Sequence, residues 1–213
     1  MSARGLFVVL EGIDGAGTTT QAERISAALR AEGRRVLTTR EPSDGPLGLL
    51  LRQALAGRLG LPRQSGPLSP ETLALLFAAD RTDHLAAQVR PALAAGVVVV
   101  CDRYVLSSLA YQGAQLPPRW VEAVNAFADA PDLTLFLEVE PEVAARRRAS
   151  RGGDAELYDA DHLQRRIARQ YLTAIRRRGR TDRVVRIAGD LSVEQVTAVA
   201  LAAIHRRLAG RKR

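Results

Sequence analysis

Apolar residues recur along this chain in two rhythms. Short apolar runs at residues 6–11, 36–40, 97–102, 133–139 and 184–188 read as strands, several of them strongly β-branched. Between them lie amphipathic or alanine-rich segments at 21–32, 70–93, 118–129, 141–150, 161–178 and 192–208, whose apolar positions return at helical spacing. In the first of these, Ala22, Ile25 and Leu29 share one face before Gly33 supplies a stop. Ser69-Pro70-Glu71-Thr72 and Ser192-Val193-Glu194-Gln195 are helix starts, each with a hydroxyl to cap the first N–H groups and an early acid. Apolar strands alternating with helices predict an α/β fold with a five-stranded parallel sheet, helices on both faces, in one domain over residues 1–213. The sequence has no internal repeat and no low-complexity linker.

Two segments break the pattern. Residues 42–67 and 146–159 are poor in core positions and rich in Gly, Pro or Arg. The first reads as a loop and short helix around a substrate. The second, which begins Arg146-Arg147-Arg148-Ala149-Ser150-Arg151-Gly152-Gly153, reads as a mobile lid. A plain surface loop fits either segment taken alone. In open α/β sheets, however, sites form beyond the carboxyl ends of the strands, and both segments follow strands closely enough to reach there.

The turn after the first strand carries the strongest chemical signal. It runs Gly12-Ile13-Asp14-Gly15-Ala16-Gly17-Thr18-Thr19-Thr20, a phosphate-binding loop with one residue changed. The usual pattern is Gly, four residues, Gly, Lys, then Ser or Thr. Both glycines and the hydroxyl residue Thr19 are in place, whereas Thr18 stands where the lysine belongs. Strand, loop and helix together aim backbone N–H groups and the positive end of a helix at one spot, which suits a phosphate. A glycine-rich turn without a ligand fits the same letters.

Composition narrows the field. At 213 residues, 46% hydrophobic and 25% charged, the chain is built like a globular domain with a sizeable core. No apolar run approaches the ~20 residues of a membrane span. Gly12 to Gly17 interrupt the only early apolar stretch, so no signal peptide is expected. Cys101 is the sole cysteine, which excludes an intramolecular disulfide and points to a reducing, cytoplasmic setting. At the end of an apolar run it reads as core rather than nucleophile. The formal charge of +8 raises the question of nucleic acid. Yet Lys212 is the only lysine, and the densest arginine runs, Arg176-Arg177-Arg178 and the tail from Arg206 to Arg213, lack interleaved aromatics for base stacking. A solvated basic surface with no nucleic-acid or membrane partner is the expectation. The lysine count has a sharper use: Lys212 aside, any cation replacing the loop lysine has to be an arginine.

Two strand ends add further chemistry. The third run closes in Cys101-Asp102-Arg103-Tyr104. An acid at the tip of a buried strand is where nucleotide-binding folds hold magnesium or its waters, although a carboxylate capping the next turn fits equally. Arg103 beside it can grip a phosphate through two parallel hydrogen bonds. The second run closes in Thr39-Arg40-Glu41-Pro42, so two strands each deliver an arginine to one sheet edge, suggesting a second anion site.

Taken in order, the loop at 12–20, Arg40-Glu41-Pro42, Phe77-Ala78-Ala79-Asp80-Arg81 with His84, Asp102-Arg103-Tyr104, and Ser107 through Tyr111-Gln112-Gly113 resemble bacterial thymidylate kinases. The likeness runs from about Leu6 to the end of the lid segment, then more loosely to the last helix. It implies a P-loop nucleoside monophosphate kinase fold, phosphoryl transfer from ATP to dTMP with magnesium to give dTDP and ADP in dTTP synthesis, and a homodimer. Residue by residue, it implies that Gly12, Ile13, Asp14, Gly15, Ala16, Gly17, Thr18 and Thr19 hold ATP, with Thr19 and Asp102 on the metal. Phe77 would stack on thymine, where a core aromatic is the bland reading. Arg81, on the same helix face, would hydrogen-bond the base edge. Arg40 and Arg103 would hold the dTMP phosphate, Ser107 would contact the base, Tyr111 would crowd a ribose 2′-hydroxyl, and Asp14 would meet the 3′-hydroxyl.

The chain departs from that family at two places. Thr18 removes the loop cation, and Glu156-Leu157-Tyr158-Asp159 replaces the usual Asp-Arg-aromatic-Glu, so one lid arginine is absent. Arg146, Arg147, Arg148 and Arg151 are placed to compensate, with Arg147 and Arg151 assigned beside Arg103 and Asp102 to catalysis. A catalytically impaired nucleotide-binding sensor, or a kinase of another nucleotide, remains the competing reading.

Overall fold

The computed structural model describes residues 4–57, 59, 68–151 and 161–210. β1 (Phe7–Glu11) lies inside the sheet, with every side chain 0–1% exposed. An uninterrupted apolar run requires such cover on both faces. β3 (Val98–Asp102) pairs with β1 along one edge, setting Leu10 opposite Asp102. β4 (Leu133–Glu138) pairs along the other and sets Glu11 opposite Phe136. β2 (Val36–Arg40) and β5 (Val184–Ala188) complete a five-stranded, all-parallel sheet in the order β2-β3-β1-β4-β5.

Helices fill the crossovers. α1 (Thr18–Ala31) follows β1, and α2 (Pro46–Leu55) with α3 (Pro70–His84) follow β2. A π-helical stretch, Leu85–Val89, carries α3 into α4 (Arg90–Ala94). The widened turn precedes Pro91, which has no N–H to donate and whose ring crowds the carbonyl of Ala87, four residues back. α5 (Val105–Tyr111) and α6 (Pro118–Val124) follow β3; α7 (Pro141–Arg151) and α8 (Asp161–Arg178) follow β4; α9 (Val193–Ala209) closes the chain after β5. α1 and α9 pack together over one face of the sheet. On the other, Phe7 meets Tyr104 edge-on at 5.2 Å and Phe136 meets Tyr171 of α8 at 5.3 Å.

Most expected elements form within a residue or three of their predicted bounds. Three differ. The helix expected over 70–93 is interrupted by the π stretch, and that expected over 118–129 ends at Val124. α5 had no counterpart among the expected helices. Segment 42–67 contains α2, but Arg58 and residues 60–67 lie outside the described residues, as do 152–160 of the lid segment, the Arg151 side chain and the tail at 211–213. No helix among the described residues is long and apolar enough to cross a membrane. Cys101 is buried, and burial pushes its thiol well up, which suits a core residue rather than a nucleophile.

Candidate functional site

The glycine loop is shaped by contacts that only glycine permits. Gly15 adopts φ +90°, and a Cβ there would sit 2.4 Å from the Ala144 carbonyl oxygen of α7. Gly17, at φ 95°, is the N-cap of α1 and offers no side-chain bond, and the first turn carries no acid. The leading N–H groups of α1 are thereby left for an anion. Thr18 is buried, at 4% exposure, and brings no charge to this concavity.

Beside the loop, the Thr19 hydroxyl donates to Asp102 Oδ2 at 2.5 Å. Asp102 Oδ1 is buried with no hydrogen-bond partner among the described residues. A hydroxyl next to a carboxylate with an unspent oxygen is the hard-oxygen set that magnesium takes, one or two protein ligands completed by phosphates and water. Arg147 of α7 lines a groove on the outer side of the loop with Ala16, Gly17, Thr20, Leu191 and Val193. Arg148 ties the same helix to the loop by donating to the Asp14 carbonyl at 2.8 Å.

A cleft of about 590 Å³, partly open to solvent, adjoins the loop and is lined by Asp14, Phe77, Arg81, Arg103, Ser107 and Tyr111, among others. Arg103 enters from the tip of β3 at φ 72°, a left-handed conformation that a side-chain-bearing residue adopts only when its surroundings impose it. It donates to Asp14 Oδ1 at 2.6 Å, to the Gly12 carbonyl at 2.9 Å and to the Tyr111 hydroxyl at 3.2 Å. Burial works against its charge, but the oxygens of Tyr111 and Asp14 outweigh that and raise its pKa.

At the other end, Arg81 is 1% exposed. Its Nε donates to Glu41 Oε2 at 2.8 Å and its Nη1 to Ser108 Oγ at 3.2 Å, with Asn125 Oδ1 a further acceptor. His84 Nδ1 lies 3.2 Å from Glu41 Oε1, and its Nε2 lies 2.7 Å from the Thr39 hydroxyl. Around the turn after β2, the Asp80 carboxylate accepts from both N–H and hydroxyl of Ser43, at 2.8 and 2.6 Å. Both β2 and α3 therefore fix the walls on which Arg81 and Phe77 stand.

Glu11 closes β1 beneath this cleft. Its carboxylate accepts from Ser107 N at 3.2 Å, Ser107 Oγ at 2.5 Å and the Tyr171 hydroxyl at 3.1 Å. Burial pushes its pKa up to about 7, against the pull of the Ser107 bonds and Arg103. Tyr111 and Tyr171 are likewise raised, chiefly by burial, and stay neutral hydroxyls.

The glycine loop thus adjoins a second cleft that carries Arg81 and Arg103. The family model described as thymidylate kinase matches residues 10–199. The chain belongs to the thymidylate kinase family. It is 44% identical over 170 residues to a protein named probable thymidylate kinase from Pyrococcus horikoshii, covering 79% of this chain and 82% of that one. A protein named thymidylate kinase from Bifidobacterium longum is 45% identical over 148 residues, covering 67% and 71%. One named probable thymidylate kinase from Pyrobaculum calidifontis is 40% identical over 176 residues, covering 82% and 84%. Likeness to both archaeal and bacterial members is wider than the bacterial resemblance read from the motifs.

Within this thymidylate kinase family member, the residues expected around an acceptor come together unevenly. Asp14, Phe77, Arg81, Arg103, Ser107 and Tyr111 share one cleft. Arg40 does not line it: its side chain is 56% exposed, pairs with Asp44 at 2.8 Å, and borders an adjoining groove with Thr19. The Ser107 hydroxyl donates to Glu11, and Ser108, also in the cleft lining, accepts from Arg81. Glu11, Ser108 and Tyr171 were not foreseen, and Glu41 was noted only as part of the Arg40-Glu41-Pro42 motif, without a role. An acid ending an apolar strand was the available cue for Glu11, the same cue that singled out Asp102.

Proposed function

We propose that this chain transfers the γ-phosphoryl group of ATP to dTMP, working as one thymidylate kinase-like domain over residues 1–213 with a lid across about 146–159. The observation that carries the reading is the meeting of two sites: the Gly12–Thr19 cradle and the cleft holding Asp14, Phe77, Arg81, Arg103 and Tyr111. An oxygen of the dTMP phosphate attacks the γ-phosphorus, the bond from that phosphorus to the β–γ bridging oxygen breaks, and ADP leaves with the electron pair. Such chemistry asks the protein mainly to align the two phosphates and offset charge.

Backbone N–H groups from Gly12 to Thr19 hold the donor phosphates. Asp102 and Thr19 would hold magnesium, which when bound would offset negative charge on the transferring phosphates. The Asp102 oxygen left unpartnered beside the Thr19 bond supports that placement. Arg103 turns part of its donor set to the acceptor phosphate, with Arg40 approaching from the adjoining groove. Phe77 stacks on the base, Arg81 presents a donor to a base carbonyl, Tyr111 excludes a 2′-hydroxyl, Ser107 steadies this wall and Asp14 receives the 3′-hydroxyl. Arg147, which lines the groove beside Gly17 and Thr20, supplies charge that Thr18 does not, and Arg151 is the second lid arginine assigned to catalysis.

A homodimer in the cytoplasm completes the proposal. Thr18, uncharged and buried, favours a second reading, a nucleotide-binding protein with little turnover. Initial rates of ADP release with dTMP, dCMP and the ribose form of TMP test the acceptor assignment: dTMP is expected to lead, and equal efficiency with dCMP overturns it.

A further inference from the structure

We infer that Glu11 is a positioning residue for the acceptor phosphate site, acting on Arg103 through Ser107 and Tyr171. The inference rests on the dTMP kinase reading above and extends it to a residue outside the cleft lining. Glu11 is fully buried at the end of β1, 0% exposed, and collects three donors: the N–H and hydroxyl of Ser107 and the hydroxyl of Tyr171. Ser107 and Tyr171 also meet each other, oxygen to oxygen, at 2.7 Å. Both stand at the edge of the Arg103 fork, 3.5 Å from Nη1.

The arrangement has a direction. Ser107 lies in the first turn of α5, whose N-cap Tyr104 gives no side-chain bond, so the Ser107 N–H goes to Glu11 instead. α5 in turn carries Tyr111, whose ring lies 5.2 Å from the Arg103 guanidinium carbon. Glu11 therefore fixes the start of α5 and the tilt of Tyr171, and these two surround an arginine held at φ 72°. A carboxylate that only filled space here would be replaced with profit by an apolar residue, because burying a charge is costly. Its pair of acceptor oxygens is the property in use: Oε1 takes the Ser107 N–H and Oε2 the hydroxyls of Ser107 and Tyr171, whereas an amide has one acceptor oxygen for the three donors. The charged or titratable groups facing it are Arg103 from the β3–α5 turn, Tyr171 from α8 and Cys101 from β3.

Glu11→Gln, which keeps the shape, and Tyr171→Phe, which keeps the ring, test this in the full chain. With wild type as reference, kcat and KM are measured for dTMP and for ATP, dTMP binding is measured by calorimetry, and Tm is recorded. The expected result for Glu11→Gln is a loss in kcat/KM for dTMP on the order of ten- to a hundredfold, weakened dTMP binding, an unchanged KM for ATP and a Tm no lower than wild type. Tyr171→Phe should lose less, and the double variant should match Glu11→Gln within about twofold, since both act through one network. dTMP kinetics and binding like wild type in Glu11→Gln overturn the inference, as does a lowered Tm with dTMP and ATP parameters impaired alike. A wild type that binds dTMP without turnover defeats the kinase reading instead, and the calorimetric comparison still decides the part played by Glu11. Absence of dTMP binding in wild type overturns both.

Discussion

Arg103 donates to Asp14 Oδ1 at 2.6 Å while Gln164 of α8 donates to Oδ2 at 2.7 Å, so one loop carboxylate is shared between the tip of β3 and the helix that follows the lid segment. Arg148 adds a bond to the Asp14 carbonyl, at 2.8 Å. Removing the carboxylate frees Arg103 and deprives a bound sugar of its acceptor. Asp14→Ala should raise KM for dTMP by roughly tenfold or more, the worth of about 1–3 kcal/mol for a broken buried bond. Steady-state kinetics on dTMP and its 3′-deoxy analogue check the sugar contact: the variant should lose less on the analogue. Equal losses on both would leave Asp14 a holder of Arg103 alone.

Phe77 is half-buried, lines the cleft and packs against Leu51, Ala54 and Leu73. Phe77→Ala should weaken dTMP binding by about 1–3 kcal/mol, as base stacking does elsewhere, with ATP binding little changed. Calorimetry with each nucleotide on the folded variant distinguishes stacking from core filling, because a core role lowers stability and spares dTMP affinity.

Glu11 also predicts a pH effect on stability. Its pKa in the folded chain, about 7, lies above the ordinary 4.5, so the folded state binds the proton more tightly than the unfolded one. The resulting stabilisation is complete below about pH 4.5 and fades as pH rises through about 7. Glu11→Gln has no proton to lose there. The Tm difference, variant minus wild type, should grow between pH 5 and pH 8, roughly spanning that window. A difference flat with pH would place the Glu11 pKa near its ordinary value.

Arg147 stands across the loop from the acceptor cleft, beside Ala16, Gly17 and Thr20. If it supplies the charge that Thr18 withholds, Arg147→Ala should depress kcat by on the order of a hundredfold with little effect on KM for dTMP. That split marks a contact made in the transition state. Adding Thr18→Lys to the variant should restore part of the loss. Unchanged kcat in Arg147→Ala would remove this arginine from the donor site.

Much of the sheet was legible because its cause is local. β2 and β5 form at 36–40 and 184–188, and α8 at 161–178, as their apolar spacing predicts. α5 was not legible, since nearly every residue from Val105 to Tyr111 is buried and no polar face marks a helical period. The motif resemblance named Asp14, Phe77, Arg81, Arg103, Ser107 and Tyr111, which line one cleft, but not the side chains that support them. Glu11 and Tyr171 stand 160 residues apart in sequence, and only the tertiary fold, with α8 packed against α5, brings them to 3.1 Å. Arg40 shows the converse: its place at the strand end was read correctly, but its side chain turns outward to Asp44, a choice made by the loop after β2.

Whether a loop without its lysine still transfers phosphate is tested most directly by chromatographic measurement of dTDP formed by the wild-type chain from dTMP, ATP and magnesium. The expected result is dTDP and ADP appearing together in equal amounts, well above the enzyme-free blank, and abolished by chelating the metal. No dTDP above the blank from wild type, with turnover appearing only in Thr18→Lys, would contradict it and leave a nucleotide-binding protein that has lost its transfer step.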